Sequence, residues 1–139
     1  MERGCYSFRL ETKVKETYPT KHYVVEFEMQ AADMLNIKPM KSGGIYPALA
    51  LASLAEAAEM PCQVGSMVES AIGTMAGTHL AMSRSIIETN EMEGPLMFLR
   101  DVAAVKYNGD VIQFSDRPGL GTEVDEEYVK EITCFYCEI

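Results

Sequence analysis

An α/β fold, with helices packed against a parallel sheet, is predicted by three features of this 139-residue chain. Two short apolar runs each pass through a turn into an amphipathic helical stretch, and a third such run follows them. Because a crossover helix returns the chain to the same end of the sheet, successive strand–loop–helix units imply parallel strands.

The elements follow in chain order. Residues 1 to about 22 carry mixed charge with no sustained period and end near Pro19, so no element is assigned there. The run YVVEFEMQAADM, Tyr23 to Met34, reads as strand then helix, or as one helix with Val24, Phe27 and Ala31 along a face; a helix from about Glu26 is preferred. Leu35-Asn36-Ile37-Lys38 is a short strand whose alternation puts Asn36 and Lys38 on one face, and Ser42-Gly43-Gly44 must turn the chain. Pro47 is tolerated in a first helical turn, and Leu51, Leu54, Ala55 and Ala58 then follow at helical spacing to an end near Met60-Pro61.

The unit repeats. Cys62-Gln63-Val64-Gly65-Ser66 is a second strand, and residues 69–82 place Ile72, Met75, Ala76, His79 and Leu80 on one stripe. A third strand, residues 86–91, runs to Gly94-Pro95, after which Asn108-Gly109 inside VAAVKYNGDVIQF signals a hairpin. Beyond Arg117-Pro118-Gly119-Leu120-Gly121, the acidic run Glu123 to Glu127 reads as a solvated helix start. Three parallel strands are not a finished architecture: a parallel strand wants neighbours on both sides and cover on both faces, supplied by the first residues or by another chain.

Composition narrows the function. A formal charge of −9 with no basic run argues against nucleic acid and anionic membrane surfaces as partners, leaving small molecules and other proteins. No apolar stretch reaches the ~20 residues of a membrane span, and MERGCYSFRLETK lacks the apolar core of a signal peptide, so a cytoplasmic protein is expected. Cys5, Cys62, Cys134 and Cys137 do not make the dense framework of a secreted domain. Cys134 and Cys137 have CxxC spacing, but with only His22 and His79 and no second pair they do not make a zinc set.

Lys38 is the first candidate for chemistry, because α/β barrels and open sheets hold their sites at the C-terminal ends of parallel strands. A solvated lysine at a strand end is the plainer alternative. Glu69, Glu91 and Glu93 each lie just past a strand, and Glu91 and Glu93, two apart in an extended segment, would point to one side and suit an ammonium group or a metal. An acidic solvated loop explains them equally. Ser66 has no histidine nearby to act as its base, His79 falls on an apolar stripe as core histidines do, and most of the ten methionines are read as core filler at helical spacing.

Four spaced segments, AADMLNIKPMKSGGIYPAL, EAAEMPCQVGSMVESAIGTMAGTHLA, EMEGPL and RPGLGTEVDEEY, occur in the order found in one family. From about Gln30 to Val129 the chain resembles the end of the barrel and the closing segment of the mandelate racemase and muconate-lactonizing enzymes of the enolase superfamily, closest in look to dipeptide epimerases and muconate cycloisomerases. The resemblance implies the last βα units of a (β/α)8 TIM-type barrel over residues 29–93, a closing segment over 94–130 that returns to the capping domain, a tail over 131–139, and an unassigned segment over 1–28. It implies an incomplete barrel. It also implies that Lys38 is the acid or base on one face of the substrate, with Lys41 the other lysine nearby. Ser66 and Met67 would line the pocket, Glu69 would fall on an acidic position of the family, and Glu91 and Glu93 would match two aspartates that hold a dipeptide's amino group. Each of those last two is longer than aspartate by one methylene.

The parent reaction is abstraction of a proton α to a carboxylate, with Mg²⁺ stabilising the enediolate. In the family that Mg²⁺ is held by carboxylates on three earlier strands, and nothing ahead of Lys38 resembles them, so metal ligands are expected to be absent from this chain. Lys13-Val14-Lys15 has the Lys-x-Lys spacing of a facing strand, yet it lies too close to Lys38 for four βα units to intervene and is read as chance. Three readings stand: an enzyme fragment inactive alone, a subunit of a split enzyme whose barrel a second chain or a homo-oligomer completes, and a non-catalytic interaction module. In the first two the substrate class is a small carboxylate or a dipeptide.

Overall fold

A computed structural model describes residues 32–134. The helix expected from Glu26, the Lys13-Val14-Lys15 run, Cys5, His22 and Cys137 lie outside the described residues. Within them, β1 (Leu35–Ile37), β2 (Cys62–Val64) and β3 (Ile87–Asn90) form one sheet in the order β1-β2-β3, and both pairings are parallel. Leu35 stands opposite Cys62 and Ile37 opposite Val64. On the other side of β2, Cys62 meets Ile87 and Val64 meets Asn90, with a shift of register between Cys62 and Gln63.

Two helices cross between these strands, α2 (Ile45–Ala57) and α3 (Ala71–Ser83). Alternation along β1 and β2 turns Leu35, Ile37, Cys62 and Val64 toward the helices, where they form one core with Ala48, Leu51, Ala52 and Ala55 of α2, Leu80 of α3 and Met92. Asn36 and Gln63 take the opposite, half-buried face. Beyond β3 come a 3₁₀ turn (Gly94–Met97), the antiparallel hairpin of β4 (Tyr107–Asn108) and β5 (Val111–Ile112), and α4 (Glu126–Ile132) with Asp125 as its N-cap. The hairpin and the acidic helix start stand where the sequence put them.

The helices differ from the sequence reading in rotation and in length. The turn expected at Ser42-Gly43-Gly44 is preceded by one helical turn, α1 (Pro39–Ser42), which Pro39 opens and left-handed Gly43 closes. In α2 the buried stripe starts one turn earlier, at Ala48, and the helix ends at Ala57, because Ala58 caps it and Glu59 turns the chain at φ +53° toward β2. In α3 the buried residues are Ala71, Thr74, Met75, Gly77, Thr78 and Leu80, so the expected Met75 and Leu80 are inside while Ile72, Ala76 and His79 are only half-buried. A stripe chosen by apolar side chains alone misses threonine: the Thr78 hydroxyl donates to the Thr74 carbonyl at 2.8 Å and so enters the core satisfied. His79 packs edge-on against Phe114, ring centres 4.7 Å apart. The third strand is also less apolar in context than expected, since Glu88, Thr89 and Asn90 are exposed and β3 has no further neighbour in the sheet among the described residues.

Candidate functional site

The C-terminal ends of the three strands release Lys38, Gly65 and Glu91 on one side of the sheet. Lys38 leaves β1 in extended conformation, half-buried, and its Nζ donates to the carbonyl of Ser66 at 2.6 Å. A lysine at a strand end is here held by the loop that follows the next strand.

That loop is fastened from several sides. The Ser66 N–H donates to Glu91 Oε2 at 3.4 Å, and the Ser66 hydroxyl donates to Glu69 Oε2 at 3.3 Å while accepting from the Val68 N–H at 2.9 Å. The same Glu69 oxygen accepts the Met67 N–H at 2.5 Å. Val68 sits at φ +59°, a left-handed conformation that costs about 1 kcal/mol or more for a β-branched residue. Glycines permit this crowding: a Cβ on Gly65 would stand 2.2 Å from Asn36 Oδ1, and one on Gly94 would stand 2.5 Å from the Glu69 carbonyl. The loop then enters α3, whose Ala71 N–H donates to Asp101 Oδ2 at 2.7 Å.

Lys38, Met67 and Glu69 line a cleft of about 300 Å³ together with the Gly43-Gly44-Ile45 entry to α2 and with Gly73 and Ala76 of α3. Glu91 and Glu93 line a second, larger cleft of about 510 Å³, walled by Met82, Tyr107, Ile112 and Phe114. Met92, buried, separates the two exposed carboxylates. The structure thus brings Lys38, Ser66, Met67 and Glu69 together, ties Glu91 to them through Ser66, and leaves Glu93 facing the second cleft. Tyr107, half-buried there, donates to the Met92 carbonyl at 2.6 Å, and burial, then Glu93 and Asp101, push its phenol upward. Sequence reading missed the glycines of the cleft and Asp101. Gly43 and Gly44 were visible as a turn, but nothing local in the sequence marks Asp101 as the cap of a helix thirty residues away.

The described residues do not make a magnesium site. Mg²⁺ demands several oxygens in near-octahedral array, whereas Glu69 and Glu91 spend Oε2 on N–H and O–H donors of their own loop. No group of three or more histidine, cysteine, aspartate or glutamate side chains gathers among the described residues.

Parallel strands that collect a lysine and carboxylates beyond their C-terminal ends define an α/β protein of barrel or open-sheet type. Comparison with known proteins narrows this. The sequence profile of the Enolase C-terminal domain-like family matches residues 15–128, and the match begins inside the stretch for which the sequence reading assigned no element. Over 108 residues the chain is 48% identical to the N-succinyl-L-Arg/Lys racemase of Bacillus cereus, covering 78% of this chain and 29% of that one. With the L-Ala-D/L-Glu epimerase of Bacillus subtilis it shares 40% identity, covering 68% of this chain and 26% of the other. Among solved structures, that of the Bacillus cereus racemase superposes with a TM-score of 0.78 at 46% identity, over 84% of this chain and 31% of its own. A dipeptide epimerase from Cytophaga hutchinsonii, solved with Mg and the dipeptide D-Ala-L-Val, superposes with a TM-score of 0.72 at 34% identity, over 77% of this chain and 30% of its own. The chain belongs to the Enolase C-terminal domain-like family, in the mandelate racemase and muconate-lactonizing group. It spans less than a third of the length of these relatives.

Proposed function

We propose that this chain supplies the acid–base lysine and one pocket wall of an isomerase that removes and returns a proton α to a carboxylate. The anchoring of Lys38 Nζ on the Ser66 carbonyl, at the mouth of a cleft past a parallel strand, is the observation that supports it most. The relatives compared act by name on two kinds of substrate, an N-succinyl amino acid for the racemase and dipeptides for the two epimerases. In both, the carbon inverted bears a carboxylate and an acylated nitrogen, so N-acyl α-amino acids are the substrate class proposed here.

In this reading the Lys38 amine takes or delivers the proton at the α-carbon, and its ammonium form is held between turnovers by the Ser66 carbonyl. Met67, exposed in the loop, forms an apolar wall, and Glu69, hydrogen-bonded to the buried Ser66, lines the same cleft. Glu91 and Glu93 offer negative charge toward a substrate amino group or a cationic side chain. Carboxylates for Mg²⁺, and a second proton-transfer group on the opposite face of the α-carbon, come from strands other than β1 to β3. These three strands make part of a barrel, and the chain by itself is inactive.

Incubating the purified chain with Mg²⁺, N-succinyl-L-lysine or L-Ala-L-Glu in D₂O tests this. No deuterium should enter the α-carbon beyond the blank. Turnover by the chain alone would refute the incomplete site.

A further inference from the structure

From the loop geometry we infer that Glu69 is a positioning residue for Lys38, acting through the Ser66 peptide rather than by touching substrate. The inference rests on the proposed role of Lys38 only for its functional meaning; the geometry stands without it.

The chain of contacts is short. Lys38 Nζ has one hydrogen-bond acceptor among the described residues, the Ser66 carbonyl at 2.6 Å. The direction of that carbonyl is set by the peptide joining Ser66 to Met67, whose N–H is held by Glu69 Oε2 at 2.5 Å. A carbonyl and the N–H of its own peptide point in opposite directions within one rigid plane, so fixing the N–H aims the oxygen. Glu69 therefore pulls on the far side of the peptide plane that receives the ammonium. The Ser66 hydroxyl adds a second donor to the same oxygen at 3.3 Å.

Three features show that this arrangement is built in. Val68 is forced to φ +59° between the peptide and the carboxylate, a conformation that persists only where surrounding contacts hold it. The Glu69 backbone is clamped by Gly94, and its side chain lies over Gly73, where a Cβ would stand 2.7 Å from Glu69 Cβ. Glu91 holds the preceding N–H, that of Ser66, at 3.4 Å. Both peptides that flank the Ser66 α-carbon are thus gripped by carboxylates, and the Ser66 carbonyl, part of the second of them, has little freedom to turn.

A carboxylate so employed polarises the peptide as well as orienting it. Negative charge accepting at the N–H end strengthens the dipole whose oxygen faces the ammonium, as hydrogen bonds in series do.

The test reads Lys38 directly, without substrate or turnover. In the full chain, the rate of reductive methylation of Lys38 is measured by peptide mass spectrometry, with Lys41, exposed and without a side-chain hydrogen bond or ion pair among the described residues, as the internal reference. Glu69→Ala should raise the Lys38 rate relative to Lys41 by about fivefold, the population factor for one net hydrogen bond. Glu69→Gln, which keeps an acceptor for the Met67 N–H, should restore most of the protection. Hydrogen exchange of the Met67 and Val68 amides reports the loop in the same samples. Faster amide exchange with an unchanged Lys38 rate would reduce Glu69 to a loop brace and overturn the inference. Should Glu69→Ala fail to fold, Glu91→Ala at the exposed second anchor carries the test, with a smaller rise at Lys38 expected and none contradicting it. A missing isomerase activity would leave these rates, and hence the inference about position, unaffected.

Discussion

At the level of single residues, the sequence was most informative where chemistry and backbone geometry coincide. Lys38 stands out because strand alternation and the following Gly43-Gly44 turn fix it at a strand end, and the structure adds its acceptor, Ser66. Ser66 has no histidine to make it a nucleophile; the structure uses its main chain, which composition does not reveal. Cys62 is a second instance. It reads only as a strand residue, but it lies wholly inside the core, where burial and then the Glu88 carboxylate push its thiol up to about 11 from the ordinary 9.0. Between those values the folded chain keeps a proton that the unfolded chain has lost, so stability falls as pH rises through that window and the contribution is intact below it. Alkylation followed by peptide mass spectrometry at pH 9 should show Cys62 protected and exposed Cys134 modified, with Cys62 reacting only on denaturation. Equal rates in the native chain would contradict its burial.

At the level of elements, the order of strands and helices was legible because its signals are local: apolar runs, Pro47, the Asn108-Gly109 turn and the acidic start of α4. Helix rotation was legible only in part: apolar spacing found Leu51, Ala55, Met75 and Leu80 inside, but missed Ala48, Thr74 and Thr78. The Thr78 hydroxyl is served by a helix carbonyl, whereas the buried Thr74 hydroxyl has no partner among the described residues, and hydrophobicity marks neither as core. The α4 cap illustrates a local signal that was right. Asp125 accepts from the Tyr128 N–H at 3.0 Å and pairs with Arg100 at 3.0 Å, and these contacts hold its carboxyl below the ordinary carboxylate range. Arg100 also stacks on the Tyr128 ring at 4.0 Å. Because the folded value is depressed, the stabilisation is present at neutral pH and is lost as acidity reaches the folded value. Helix α4 should therefore fray first on acidification, seen as faster amide exchange over residues 126–132 than over α3. Simultaneous loss of both helices would show that the cap does not act locally.

For the molecule as a whole, three parallel strands leave two edges without partners among the described residues, and the stretch after β3 leaves Leu96, Met97, Phe98 and Leu99 exposed. Apolar burial is worth about 25 cal/mol per Å², so a few hundred Å² left open forfeits several kcal/mol, comparable to the ~5–15 kcal/mol net stability of a domain. Unpaired edges recruit other strands. The isolated chain should accordingly self-associate or melt broadly in sedimentation and thermal unfolding; a monodisperse monomer with one sharp transition would show that this surface is already covered. The central claim is that these strands carry the proton-transfer lysine of an α-proton isomerase whose other parts lie on further strands. Its most direct test is a chimera in which residues 32–129 replace the matching segment of the Bacillus cereus racemase, assayed for Mg²⁺-dependent deuterium exchange at the α-carbon of N-succinyl-lysine. The account predicts exchange in the chimera, its loss in Lys38→Ala and its retention in Lys41→Ala. A folded chimera that exchanges nothing, or one that works without Lys38, would contradict it.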